Sequence, residues 1–234
     1  MLTKHTHNGL DVDQRESPDS DPERALALSY AYAASRPALA ALFALDDALA
    51  QVLRTTREPM VGQMRLTWWH GALAALDSAP PPAQPVLQML AAEVLPHGVA
   101  GAALTPIVEG WEELLAAEIS PEDIARYARG RGTLFAVAGA LLGGDDPVRE
   151  AGEGWALVDL AWHSREPEVA ALARELARPM LEAATARRWS RAGRALGVLA
   201  HLALADLTLD PTAPRVRGSP GRVWRALRHR LTGR

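Results

Sequence analysis

The chain contains no cysteine, which removes structural disulfides, cysteine-ligated zinc, iron–sulfur clusters and thiol nucleophiles together. The same absence agrees with a reducing compartment, and a cytoplasmic location is the expectation. Aromatic and β-branched residues are thin: two Phe and three Tyr in 234 residues, with Val and Ile scattered, cannot supply a set of strands. No run approaches the roughly 20 uninterrupted apolar residues of a membrane span. The first 23 residues also lack the apolar stretch of a signal peptide, so neither an integral protein nor secretion by that route is expected. An excess of one charge is missing too: 25 Lys+Arg against 28 Asp+Glu leave a net charge of −3 and no general drive toward nucleic acid. HExxH, GxSxG, Walker A and GxGxxG patterns do not occur, which leaves zinc-hydrolase, serine-esterase and nucleotide-binding readings without support.

What remains is an alanine- and leucine-rich chain, 48% hydrophobic, with proline and glycine as punctuation. This composition predicts a single all-α domain. Prolines suited to first-turn positions, together with the apolar periodicity between breaks, predict helices at about 22–35, 37–55, 59–76, 84–95, 104–117, 121–142, 147–164, 167–184 and 187–207. Charge divides the chain further. Residues 1–20 belong to an acidic stretch that reads as disordered, because Lys4 and Arg15 stand against six carboxylates through Glu23. Residues 21–209 form the helical domain. Residues 210–234 form a basic tail in which Arg215, Arg217, Arg222, Arg225, Arg228, Arg230 and Arg234 occur with no acidic residue beyond Asp210.

The most informative position is Asp46. It shares a helical stripe with Leu39, Leu42, Phe43, Leu49 and Leu53, which should face the core. An unpaired buried carboxylate costs several kcal/mol (roughly, after relaxation), so Asp46 requires a cationic partner, a metal or a watered cavity. One resolution pairs Asp46 with Arg65 or Arg36 and leaves Asp47 beside Arg54 at the surface. The other places Asp46 and Asp47 on a cavity wall, holding Mg²⁺ against a diphosphate.

The stretch Leu42-Phe43-Ala44-Leu45-Asp46-Asp47, then Arg57-Glu58-Pro59-Met60-Val61-Gly62, then Arg65-Leu66-Thr67-Trp68-Trp69-His70, resembles the squalene/phytoene synthase family. The likeness continues through Tyr127, Gly132, Val137-Ala138-Gly139 and Ala151 to Leu157, and covers roughly residues 21–207. It implies a trans-isoprenoid synthase fold, a single helical bundle around a central cavity in which two acidic motifs on opposed helices bind Mg²⁺-diphosphate. It also implies head-to-head joining of two prenyl diphosphates in isoprenoid biosynthesis. On that resemblance Asp46 and Asp47 are the catalytic and Mg²⁺-binding residues, and Arg65, Tyr127 and Asp159 the substrate-binding ones.

Two departures stand out. Ala50 and Gln51 occupy the place where the first motif usually adds a carboxylate. The second motif is reduced to Asp159, Trp162, His163, Glu166 and Pro167, and Pro167 biases Glu166 out of helical geometry. The Arg57-Glu58-Pro59 and Trp68-Trp69 signature is most similar to a branch with degenerate acidic motifs that includes a mitochondrial complex I assembly factor. The alternative function is therefore a non-catalytic, membrane-associated assembly or scaffold factor, partnered by a respiratory or lipid-linked complex.

The tail carries a separate signal. Val223, Trp224, Leu227 and Leu231 form an apolar stripe among arginines over residues 222–231. It suits an amphipathic helix lying peripherally on anionic lipid at the inner face of the membrane, or docking of the stripe onto the acidic body.

Overall fold

The structure, a computed structural model, describes residues 22–56, 58–210 and 216–234. The expected acidic segment 1–20 lies outside the described residues. Among those described there are ten α-helices and no strand. They are α1 (Pro22–Tyr30), α2 (Arg36–Thr55), α3 (Pro59–Ala75), α4 (Pro85–Glu93), α5 (Thr105–Glu112), α6 (Pro121–Leu142), α7 (Val148–His163), α8 (Pro167–Ala186), α9 (Arg194–Asp206) and α10 (Pro220–Thr232). Pro59, Pro85, Pro121 and Pro167 sit in the first turn of their helices, where a missing N–H costs nothing. Ser120 adds a reciprocal cap with Asp123 at the start of α6.

Three expected boundaries differ by five residues or more; one is the fifth helix, which ends at Glu112 rather than near 117 and passes into a 3₁₀ turn over Glu113–Leu115. The first helix stops at Tyr30 and gives way to a short 3₁₀ turn over Ala33–Ser35. The ninth begins at Arg194 rather than near 187, because the intervening segment is held by tertiary bonds that propensity does not register. Ser190 donates its backbone N–H to Asp146 Oδ1 at 2.7 Å and its hydroxyl to Oδ2 at 2.6 Å. Trp189 is buried and donates Nε1–H to the Ala184 carbonyl at 3.0 Å.

Helices α6 and α7 run through the middle of the bundle, with α2 and α5 covering one side of α6 and α8 and α9 packing against α7. One apolar core joins them, including Leu39, Leu42, Leu45 and Leu49 of α2, Phe135 of α6 and Leu157 of α7. No single described helix is long and apolar enough to cross a membrane.

The tail helix α10 belongs to this body. It packs on α9 with Arg222, Ala226 and His229 buried, while Val223, Trp224, Leu227 and Leu231 are exposed. The Arg222 guanidinium lies between two buried carboxylates. It donates to both oxygens of Glu23 on α1, with Nη2–Oε2 at 2.6 Å, and its Nη1 donates to Asp206 at the end of α9. The body contact is thus made by the polar face, opposite to the stripe that the sequence offered for docking.

Beside this tie, the His201 and His229 rings approach with centroids 4.5 Å apart. Burial, then Arg228 and Arg225, lowers His201 to about 4, and burial, then His201 and Arg194, lowers His229 to about 3. Between those values and the unfolded histidine value near 6.5, the unfolded chain binds more protons, so acidification destabilises the fold. From pH 7.5 to 5.5 these groups should remove roughly 1–3 kcal/mol of unfolding free energy. His163, raised by Asp159, acts in the opposite sense. Urea unfolding of His201→Leu in a His163→Gln background should therefore show a shallower loss than His163→Gln alone; equal slopes would refute the assignment.

Candidate functional site

The centre of the bundle is organised by Arg131, in the middle of α6. Its Nε and Nη2 groups donate to Asp46 Oδ1 and Oδ2 of α2, both at 2.8 Å, in a two-pronged pairing. Its Nη1 donates to Asp159 Oδ2 of α7 at 2.6 Å and to the Tyr127 hydroxyl at 2.5 Å. Trp111 of α5 donates its indole N–H to Asp46 Oδ1 at 3.1 Å. The guanidinium carbon lies 4.5 Å from the Trp111 ring centroid and 4.4 Å from that of Trp155. One cation therefore joins a carboxylate of α2 to a carboxylate of α7 and stacks against two indoles.

Local sequence explains how the helices come this close. Gly130 and Gly132 flank Arg131. A Cβ on Gly130 would stand 2.6 Å from the Gly110 Cα of α5, and one on Gly132 would stand 3.0 Å from the Glu153 backbone nitrogen of α7. The missing side chains let α5 and α7 close on α6 from two sides, and these helices carry Trp111 and Trp155. The cradle that holds the guanidinium is thus written into the run Gly130-Arg131-Gly132.

Asp46 and Arg131 are 1% and 2% exposed, so this is a dry ion pair. Burial works against the Arg131 charge, but Asp46, Tyr127 and Asp159 together hold its pKa well above the ordinary arginine value. Burial likewise works to raise Asp159, yet Arg131 and His163 hold its carboxyl well below the usual range. Burial pushes the Tyr127 phenol upward, so it remains a neutral hydroxyl.

The site residues expected from sequence separate into two groups. Asp46, Tyr127 and Asp159 meet at Arg131. Asp47 turns instead to Arg24 of α1, at 2.6 Å, whose guanidinium lies 4.9 Å from the Phe43 ring centroid. Burial raises the Asp47 carboxyl against the pull of Arg24. Arg65 is exposed on α3 and donates to the Thr55 and Thr56 hydroxyls at 3.0 and 2.9 Å, away from the central carboxylates. The expected surface pairing of Asp47 with Arg54 does not form, since Arg54 donates to Gln51. His163 bonds back to Asp159, its Nδ1 lying 2.8 Å from the Asp159 carbonyl, and Glu166 lies in extended backbone before Pro167. Asp159, His163 and Glu166 therefore do not share one continuous helical face. Trp69 is buried and Trp68 half exposed, their rings edge to face at 5.3 Å.

Arg131, Arg24 and Trp111 were missed by sequence reasoning. The spacing of Tyr127 and Arg131, one helical turn apart on an otherwise apolar face, is the signal that could have found the central cation.

A divalent ion requires converging carboxylate oxygens. Here both oxygens of Asp46 are taken by Arg131, an oxygen of Asp47 by Arg24, and Asp159 by Arg131 and His163. Among the described residues no three acidic or histidine side chains converge. This arrangement does not fit Mg²⁺.

The chain is an all-α bundle in which a carboxylate of α2 and one of α7 meet at a single arginine of α6. The squalene/phytoene synthase model matches residues 17–205, and the chain belongs to that family. No curated protein and no solved structure gives a match to it.

Proposed function

We propose that this chain is a family member whose diphosphate chemistry has been replaced by an internal ion pair, and that it works as a non-catalytic assembly or scaffold factor. The observation that carries this reading is Arg131, which pairs with both Asp46 and Asp159 from within. Electrostatic stabilisation of a departing diphosphate would be the largest catalytic effect in such a fold, and it needs free carboxylates or free cations at the centre. Arg131 is already committed in five directions: to two carboxylates, one phenol and two indoles. Ala50 in place of an acidic residue and the break at Pro167 support the same conclusion.

The outer surface is suited to a partner. Met60, Met64 and Trp68 are exposed on α3 at intervals of one turn, an apolar row of adaptable side chains. In this proposal the protein acts in the cytoplasm at the inner face of a membrane and serves a respiratory or lipid-linked complex, as the degenerate family branch suggests.

A second reading retains Mg²⁺-dependent prenyl diphosphate binding at Asp46 and Asp47, with Arg65, Tyr127 and Asp159 toward substrate and weak prenyl transfer. It is favoured by family membership and by the opposition of Asp46 to Asp159, and it requires Arg131 and Arg24 to withdraw. Calorimetric titration with a non-hydrolysable farnesyl diphosphate analogue separates the two. The scaffold reading expects no magnesium-dependent binding. Magnesium-dependent heat that disappears in Asp46→Asn with Asp47→Asn would overturn it.

A further inference from the structure

Helix α10 is assembled inside out. The residues it buries are Arg222, Ala226 and His229, and the residues it presents outward are Val223, Trp224, Leu227 and Leu231. On a helical projection the exposed apolar residues cover one arc opposite the docked face. Arg230 borders that arc on one side and Arg228, then Arg225, on the other, all exposed. A helix stabilised only by its own protein would place the apolar arc inward. Here the inner face is held by the Arg222 pairings with Glu23 and Asp206, which leaves the apolar arc available to another phase.

The Arg230 border adjoins a second feature. A cleft of about 180 Å³ opens among Tyr30, Tyr32, Arg191, Arg194 and Arg230, with no carboxylate in its lining. Its arms are positioned by packing: the Arg230 guanidinium lies 4.9 Å from the Tyr30 ring centroid, and Arg194 Nη1 donates to the Arg230 carbonyl at 2.5 Å. Three arginines and two phenols around a small open cleft match the donor-only demand of a phosphate group.

We propose that α10 lies on an anionic phospholipid surface, with Trp224, Leu227 and Leu231 at the acyl boundary and the Tyr30–Arg191–Arg230 cleft receiving a headgroup phosphate. Charge decides the occupant. A second copy of the chain would bring its own bordering arginines against these, and nucleic acid would leave Trp224 and Leu231 facing water. An anionic bilayer satisfies both the arc and its borders. The inference deepens the membrane-side part of the scaffold reading but does not depend on the state of the central site. Vesicle binding and the diphosphate titration therefore succeed or fail separately.

The test is co-sedimentation of the full chain with vesicles of phosphatidylcholine alone or with about 30% phosphatidylglycerol. Wild type should pellet with the anionic vesicles only. Trp224→Glu with Leu227→Glu should weaken that binding by about tenfold or more, and Arg191→Glu should weaken it several-fold and flatten its salt dependence. These side chains are exposed, so melting curves should match wild type. Four results would overturn the proposal: no binding to anionic vesicles, equal binding to neutral ones, binding unaffected by the substitutions, or a self-associating chain that Trp224→Glu dissociates without vesicle binding. Inorganic phosphate that binds in calorimetry while vesicles do not would identify a free-phosphate cleft and overturn it equally.

Discussion

Substitution of Arg131 by Met is expected to lower the unfolding free energy by about 3–5 kcal/mol at pH 7. The loss arises from what is left behind. Asp46, a carboxylate 1% exposed, would keep one hydrogen bond from the Trp111 indole and the attraction of Arg24, which is bonded to Asp47, and Asp159 would keep His163. Methionine fills much of the volume between Trp111 and Trp155, so packing loss is a minor part. Arg131→Met combined with Asp46→Leu should recover most of the stability, because replacing a buried pair by apolar groups of similar volume is often neutral. Urea unfolding of the single and double variants at pH 7 measures both. A near-neutral Arg131→Met at pH 7 would mean that Asp46 reaches water or an ion, and would favour the prenyl diphosphate reading.

The second large effect is expected at Arg222. Arg222→Met removes the guanidinium shared by Glu23 and Asp206 and should cost about 3 kcal/mol. Arg222→Lys should recover only part of it, because an ammonium cannot offer paired donors to two carboxylates at once. The consequence for α10 is local as well as global. With its inner face unpinned, the helix should lose amide protection faster than α6 or α7, which hydrogen exchange resolves. A loss below about 1 kcal/mol with α10 already unprotected in wild type would place the tail off the body in solution. The inside-out arrangement would then fail with it.

These two arginines show where sequence reading reached and where it stopped. Helix positions were legible because proline, serine and glycine act within a few residues: Pro59, Pro121 and Pro167 open helices where they were expected to. The inward orientation of Asp46 was legible for the same reason, since a period of 3.6 ranks faces of a helix. Its partner was not. Arg131 lies 85 residues away, and Arg65 and Arg36, the cations nearer in sequence, bond elsewhere. The boundary at Arg194 was misplaced because Asp146, 44 residues earlier, holds Ser190. On α10 the amphipathic pattern was visible, yet it was consistent with either face turning inward.

By itself the sequence determined the all-α class, the order of the helices, membership of the squalene/phytoene synthase family, and the existence of a buried carboxylate needing compensation. The membership follows from the resemblance of short motifs to that family, and the rest from local periodicity and capping. Only the tertiary structure decided that an arginine cradled by Gly130 and Gly132 supplies that compensation, and that the tail docks by its charged face. Both depend on which distant groups meet in a dry interior, where a paired charge is stable and an unpaired one is not.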